Sequence, residues 1–392
     1  MTGVQTCALP ILGLLLDWPN WLGATMLLRR MDFRRFQILN GITTLGNLLV
    51  TLAVALIGDG ALAIVLGSNV VRALPFGVDL LLVRRWRPER GWWRWPRWSQ
   101  YGPALRFGMQ QAGSALLYGV RGALEAAVLP SVLGYAAVGL LGRARALFAM
   151  SAGRLADIVT ETVYPLLPRY AANPQTYPRQ ASAFAQAICL FLLPGAVYIG
   201  LEGPTLSRLL YGERWTAADP LFLPAAVFGT GLALFQVSSS VLRAANRLRT
   251  CLLLDVGAAV LTVPMVAVAW GGGGLTAYAW AVAATQLLAA AFALRTASRC
   301  LVAGWVGTVL APPLLSGALG GGAVVVLRGV RVGDAPALHL ALSVGVFLLV
   351  SGLALRGLFP RALALALTRL PWGERLRGLL RLSGVSPIPA SP

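Results

Sequence analysis

The chain has 392 residues, 57% of them hydrophobic and only 12% charged, with 33 basic against 14 acidic side chains. Soluble domains carry about a quarter charged residues and no more than half apolar ones, so a water-soluble fold is excluded and most of the surface must meet lipid. The net charge of +19 comes from Arg alone, since the sequence contains no Lys. These Arg residues cluster between long apolar runs, where they fix topology or touch anionic headgroups rather than bind nucleic acid.

The first stretch, Thr2–Ile11 (TGVQTCALPI), back-translates to a common sequencing-adapter sequence. Residues 1–11 are therefore set aside as an artefact, and a natural reading frame that continues upstream is expected. A membrane-crossing helix needs about 20 apolar residues. Ten segments qualify: Phe36–Ile57, Ala61–Val83, Ala104–Leu129, Tyr135–Tyr164, Ala181–Leu201, Leu221–Leu242, Thr250–Trp270, Leu275–Leu294, Val306–Leu327 and Ala337–Leu355. The pattern predicts an all-α, polytopic membrane helix bundle.

Charge orients these segments, because cytoplasmic loops carry excess Arg. Arg29, Arg30, Arg34 and Arg35 precede or open the first, and Arg84, Arg85, Arg87, Arg90, Arg94 and Arg97 follow the second. Arg169 and Arg179 follow the fourth, Arg243, Arg247 and Arg249 the sixth, Arg295 and Arg299 the eighth, and six more from Arg356 to Arg381 the tenth. The opposite gaps are poorer: Asp59, a Pro130–Gly134 turn, the Glu202–Asp219 loop, Gly271–Gly274, then Arg328, Arg331 and Asp334. The alternation holds at every pair, and one missed helix would invert everything after it.

The basic linker at 84–103 interleaves Trp with Arg (RRWRPERGWWRWPRW). It reads as an interfacial aromatic and Arg belt between two bundles, with single-stranded nucleic acid the weaker alternative. Residues 357–392 form a basic tail whose amphipathic part is expected on the cytoplasmic membrane surface. Cys189, Cys251 and Cys300 have no metal-ligand spacing and read as small buried hydrophobes. The single histidine, His339, sits near the start of an apolar helix. Interfacial packing and proton coupling both remain open for it. No metal site and no cofactor are expected.

Ionisable groups inside spanning segments are expensive and are usually functional. The third segment holds Arg121 and Glu125, four apart and able to pair. The fourth holds Arg143, Arg145, Arg154, Asp157 and Glu161. Arg143 to Arg154 is about three turns and Arg143 to Glu161 about five, which predicts a polar stripe on one face that must avoid lipid. Two readings fit: a structural ion-pair network, or a cationic cavity for an anionic substrate. Arg suits the second because its fork matches phosphate oxygens and stays charged. Asp79 and Asp255 are weaker candidates near helix ends. Pro194, Pro224, Pro264, Pro312 and Pro313 fall within spans, as expected of transporter helices that kink.

Four stretches resemble the Wzx-type polysaccharide flippases of the multidrug/oligosaccharidyl-lipid/polysaccharide superfamily. LLRRMDFRR (Leu27–Arg35) resembles the basic stretch before that family's fifth helix. VLGYAAVGLLGRARAL (Val132–Leu147) resembles its LG-x-x-x-x-GLYSRAxxL turn, with Leu141 in place of Tyr and Arg143 on the motif Arg. Glu125 falls where members often carry Asp. VYPLLPRYAANPQTYPR (Val163–Arg179) resembles the FPxLSRLxxDP loop, and LLYGERWTAADPLF (Leu209–Phe222) the LLGEKWxxAxPLL segment, the most specific of the four. The likeness runs from Leu12 to Leu301.

What the resemblance implies is a fourteen-helix protein of which about ten helices are present. Residues 12–83 would be the N-lobe remnant, 84–103 the linker, 104–300 the C-lobe and 301–356 two extra helices. Arg121, Glu125, Arg143, Arg154, Asp157 and Glu161 would contribute to substrate binding. The implied activity is alternating access that carries an isoprenoid-pyrophosphate-linked oligosaccharide across a bacterial inner membrane for polysaccharide export. Its partners would be the lipid-linked glycan, membrane lipids and a polymerase or export machinery. On this expectation the present chain alone would not transport. A cation-coupled drug or metabolite antiporter of the same superfamily and a membrane glycosyltransferase are the alternatives. The chain is not expected to be an enzyme, because its outer loops hold no paired acidic motif.

Overall fold

The computed structural model describes residues 21–30, 32–57, 75, 78, 98–154, 157, 160, 164–329, 336–361, 363 and 364. The Thr2–Ile11 stretch, most of the predicted Ala61–Val83 span including Asp79, nearly all of the Arg-Trp linker, Glu161 and residues 365–392 lie outside them. Every regular element among the described residues is helical, so the chain is an all-α helix bundle. Among the described residues, eight helical stretches are long and apolar enough to cross a membrane, which makes this a multi-pass membrane protein. Its outer faces agree: Leu56, Tyr135, Val326 and Leu348 are each more than 60% exposed, far more apolar surface than a water-facing monomer presents.

The chain divides into two compact units, Met1–Gln100 and Tyr101–Pro392. In the first, a short helix α1 (21–29) turns into α2 (Phe33–Leu56). Asp32 ends the turn by accepting the Arg35 backbone N–H on its carboxylate, 3.3 Å away, the usual role of an acidic N-cap. Leu27 and Leu39 form the small core of this corner, with Ala24 and Phe36 packed against them.

The second unit opens within α3 (Trp98–Phe148), which is two helical limbs joined at Gly134. Gly134 sits at φ +83°, where a side chain would be strained. The limbs fold back on each other. Glu125 and Arg145 would lie roughly 30 Å apart along a straight helix, yet they form an ion pair at 2.6 Å. The predicted Pro130–Gly134 turn is therefore present. The second limb continues into a π-helical turn, Ala149–Gly153.

Six longer helices follow. They are α4 (Tyr177–Tyr211), α5 (Phe222–Ala244), α6 (Leu248–Val260), α7 (Thr262–Trp270), α8 (Gly274–Ala297) and α9 (Ala311–Gly329), and α10 (Pro336–Leu358) ends the bundle. The predicted Thr250–Trp270 span is interrupted at Leu261, because Pro264 has no N–H to offer the carbonyl of Val260. Two buried clusters hold the unit. One is centred on Phe184, Ile188, Leu192, Leu242 and Ala293. The other joins Val128, Leu141, Leu147, Phe222 and Tyr278. Helices α5 and α8 approach closely at Gly231, where an added Cβ would stand 3.0 Å from the Gln286 backbone.

Candidate functional site

One set of polar groups in the second unit gathers on α3, α5, α6 and α8. Arg121, on the first limb of α3, donates to Gln286 Oε1 at 2.8 Å. Gln286 is 1% exposed and sits mid-way along the apolar α8. Four residues on, Glu125 takes the Arg145 ion pair at 2.6 Å and also meets the Tyr278 side chain. The expected Arg121–Glu125 pair is thus replaced. Folding back at Gly134 brings Arg145 to Glu125, and Gln286 supplies a neutral acceptor for Arg121.

A cavity of about 500 Å³ opens beside Arg121. Gln111, Ser114, Tyr118, Gln236, Ser239, Ser240, Arg243 and Asp255 line it together with Arg121 and Thr160. Several of these groups present buried polar atoms without a hydrogen-bond partner: Arg121 Nε, Arg243 Nε, Asp255 Oδ2 and Ser239 Oγ. Buried polar atoms are ordinarily satisfied, so the residues around this cavity carry an unusual share of unpaired polar atoms. Asp255, read from the sequence as a helix-end residue, lies in this wall and bonds Ser114. Arg243, counted above only as a topology anchor, belongs here too.

A second cavity, about 210 Å³, lies further along the same face of α5. Arg145, Phe148, Gly153, Asp157 and Phe228 line it, and Leu232 and Gln236 face both cavities. The Arg145 guanidinium stacks on Phe228, 4.3 Å from the ring centroid. Asp157 has Arg154 as its charged neighbour.

Arg143 turns elsewhere. Its guanidinium lies 4.4 Å from the Tyr211 ring and 4.7 Å from that of Trp215. Those rings are placed by a turn that Gly212 opens at φ +83° and that the Arg208–Asp219 ion pair closes. Two of the sequence stretches singled out above, Val132–Leu147 and Leu209–Phe222, therefore meet at this point.

Among the described residues, the polar groups of the fourth segment do not line up as one continuous stripe. Arg143 and Arg145 are two residues apart and reach different neighbours. The π-helical turn at Ala149–Gly153 then shifts the 3.6-residue register before Arg154 and Asp157. Glu161 lies outside the described residues. Gln286 was missed because only charged residues were followed, although a lone amide inside AWAVAATQLLAAAF was a visible signal.

With this geometry in view, the profile of a family described as polysaccharide biosynthesis protein matches residues 4–220, more than half of the chain. The chain belongs to that family. A curated relative, the amylovoran biosynthesis protein AmsL of Erwinia amylovora, is 22% identical over 238 residues. The match covers 60% of this chain and 60% of that protein, so the chain spans under two thirds of its relative's length. No solved structure matches the chain. For a polysaccharide biosynthesis protein built of membrane-crossing helices, a cavity walled by Arg, amide and hydroxyl groups is the feature that bears on function. The three described cysteines have no such part, since all are buried and free.

Proposed function

We propose that this chain is a flippase of the Wzx type, which moves an isoprenoid-pyrophosphate-linked oligosaccharide across a bacterial inner membrane by alternating access. One observation carries the reading. Arg121 lines a cavity of about 500 Å³ and bonds a neutral amide, Gln286, while Arg243 and Asp255 share the wall. An Arg held this way keeps its charge available to a phosphate oxygen, and the low dielectric around it strengthens that attraction.

The rest of the wall suits the same cargo. Gln111, Ser114, Gln236, Ser239 and Ser240 offer donors and acceptors of the kind sugar hydroxyls require. Arg145 is neutralised by Glu125 and so serves the hairpin rather than the cargo. In this reading the chain belongs to a transporter and does not catalyse, and the whole protein works alongside a polymerase or export machinery.

Deleting the gene in its host tests the proposal. Lipid-linked oligosaccharide should accumulate at full length and be accessible only from the cytoplasmic face, and wild type but not Arg121→Gln should restore its appearance outside. Shortened oligosaccharides would point to a glycosyltransferase instead. An unchanged leaflet distribution would remove the flippase reading altogether.

A further inference from the structure

A third cavity, about 630 Å³, lies at the Arg-rich end of the second unit. Its lining is Gly102, Arg106, Phe107, Gln110, Asn246, Leu248 and Arg249. Two guanidinium groups share it, and among the described residues no carboxylate does. Neither Arg106 nor Arg249 was singled out for binding above. Arg249 was counted only for topology.

Local backbone chemistry shapes this hollow. Helix α5 ends at Ala244, and Asn246 takes the left-handed conformation at φ +57°, which Asn tolerates better than most residues. The Asn246 N–H then returns to the Arg243 carbonyl at 2.9 Å, and the Arg247 N–H to that of Leu242 at 2.9 Å. The tight reversal turns the chain back as α6, which sets Arg249 in the same wall as Arg106 on α3.

The hollow adjoins the central cavity along two elements. Gln110 lines the first and Gln111 the second, and Asn246 and Arg243 stand one helical turn apart in the same relation. From Arg106 to Arg121 is about 22 Å along α3, too far for one pyrophosphate to touch both.

The geometry points to a two-station route for the anionic head group: a receiving station at Arg106 and Arg249, then the central station at Arg121 and Arg243. The inference rests on the flippase reading and adds to it where the pyrophosphate is first captured. An exposed charge pair at a mouth acts chiefly on association, whereas a buried charge inside acts on dissociation. The two stations are therefore separable by kinetics.

The test uses the purified full chain in phosphatidylcholine nanodiscs with farnesyl pyrophosphate as probe. Arg106→Gln/Arg249→Gln should slow association by ~tenfold with little change in dissociation, since both side chains are exposed. Arg121→Gln should speed dissociation and leave association alone. Unaltered association in the double variant, with faster dissociation in Arg121→Gln, would overturn the receiving station while the flippase reading stands. Absence of probe binding by the wild type would overturn both. A repeat in phosphatidylglycerol nanodiscs separates the sources of phosphate. If the double variant then associates as fast as wild type, the hollow holds a bilayer headgroup and the cargo route is overturned. If the difference persists, the cargo route is supported.

Discussion

Arg121 reaches Gln286 across 165 residues of sequence, and the bond at 2.8 Å ties α3 to the middle of α8. Gln286 in turn depends on Gly231, where an added Cβ would stand only 3.0 Å from the Gln286 backbone. Replacing Gln286 by Leu should cost roughly 1.5–3 kcal/mol, the range for a bond to a charged group. Thermal unfolding in nanodiscs would measure it. Gly231→Leu should be worse, since bulk forced into a packed contact costs about 1–3 kcal/mol and here also displaces the helix that carries the amide.

The Glu125–Arg145 pair is about a quarter exposed on each side. Removing either partner leaves a half-buried charge alone, so Glu125→Gln and Arg145→Gln should each destabilise by roughly 1–3 kcal/mol, below the figure for fully buried pairs. The double variant should lose less than the two single losses added together. A double-mutant cycle measures that coupling, and strict additivity would show that the two groups do not depend on each other.

Trp215 and Tyr211 share the guanidinium of Arg143. Trp215→Ala should cost about 0.5–2 kcal/mol, and Trp215→Phe less because a weaker ring face remains. An accessibility measurement at a cysteine placed in the Glu213–Leu221 turn reads the outcome. Faster labelling in the Ala variant is expected, and no change would mean that the Arg208–Asp219 pair holds the turn unaided.

Glu202 is fully buried on α4, with Arg328 of α9 at 3.0 Å and His339 of α10 at 3.5 Å. Arg328→Ala removes the closest positive charge from a carboxylate that water cannot reach. A loss of roughly 3 kcal/mol is expected, the lower end for breaking a buried pair because Arg328 itself is partly exposed. Adding Glu202→Leu should recover most of that loss. Failure of the double variant to recover would mean that Arg328 acts through its bond to the Leu201 carbonyl instead.

Much of the fold was legible because each span is a long apolar run, and run length is a local property. The hairpin could be read from Pro130–Gly134, and Gly134 does turn there. What could not be read was partner choice. Arg121 and Glu125 are neighbours on a helix, yet each takes its bond from a segment distant in sequence. The stripe failed for a different reason: periodicity assumes an unbroken α-helix, and nothing in AMSAG announces a π-helical turn. Asp255 shows the converse error, where distance from the end of an apolar run said little about which way the wall would face.

The Glu125–Arg145 clasp closes the two limbs of α3 into a stapled loop with Gly134 at its tip. Residues on either limb near the clasp cannot drift independently, because sliding one limb past the other would tear the clasp open. Any swing of this element therefore transmits motion as a single lever, and a tilt that displaces Arg121 at the α8 face must shift Arg143 beneath its two rings in the same stroke.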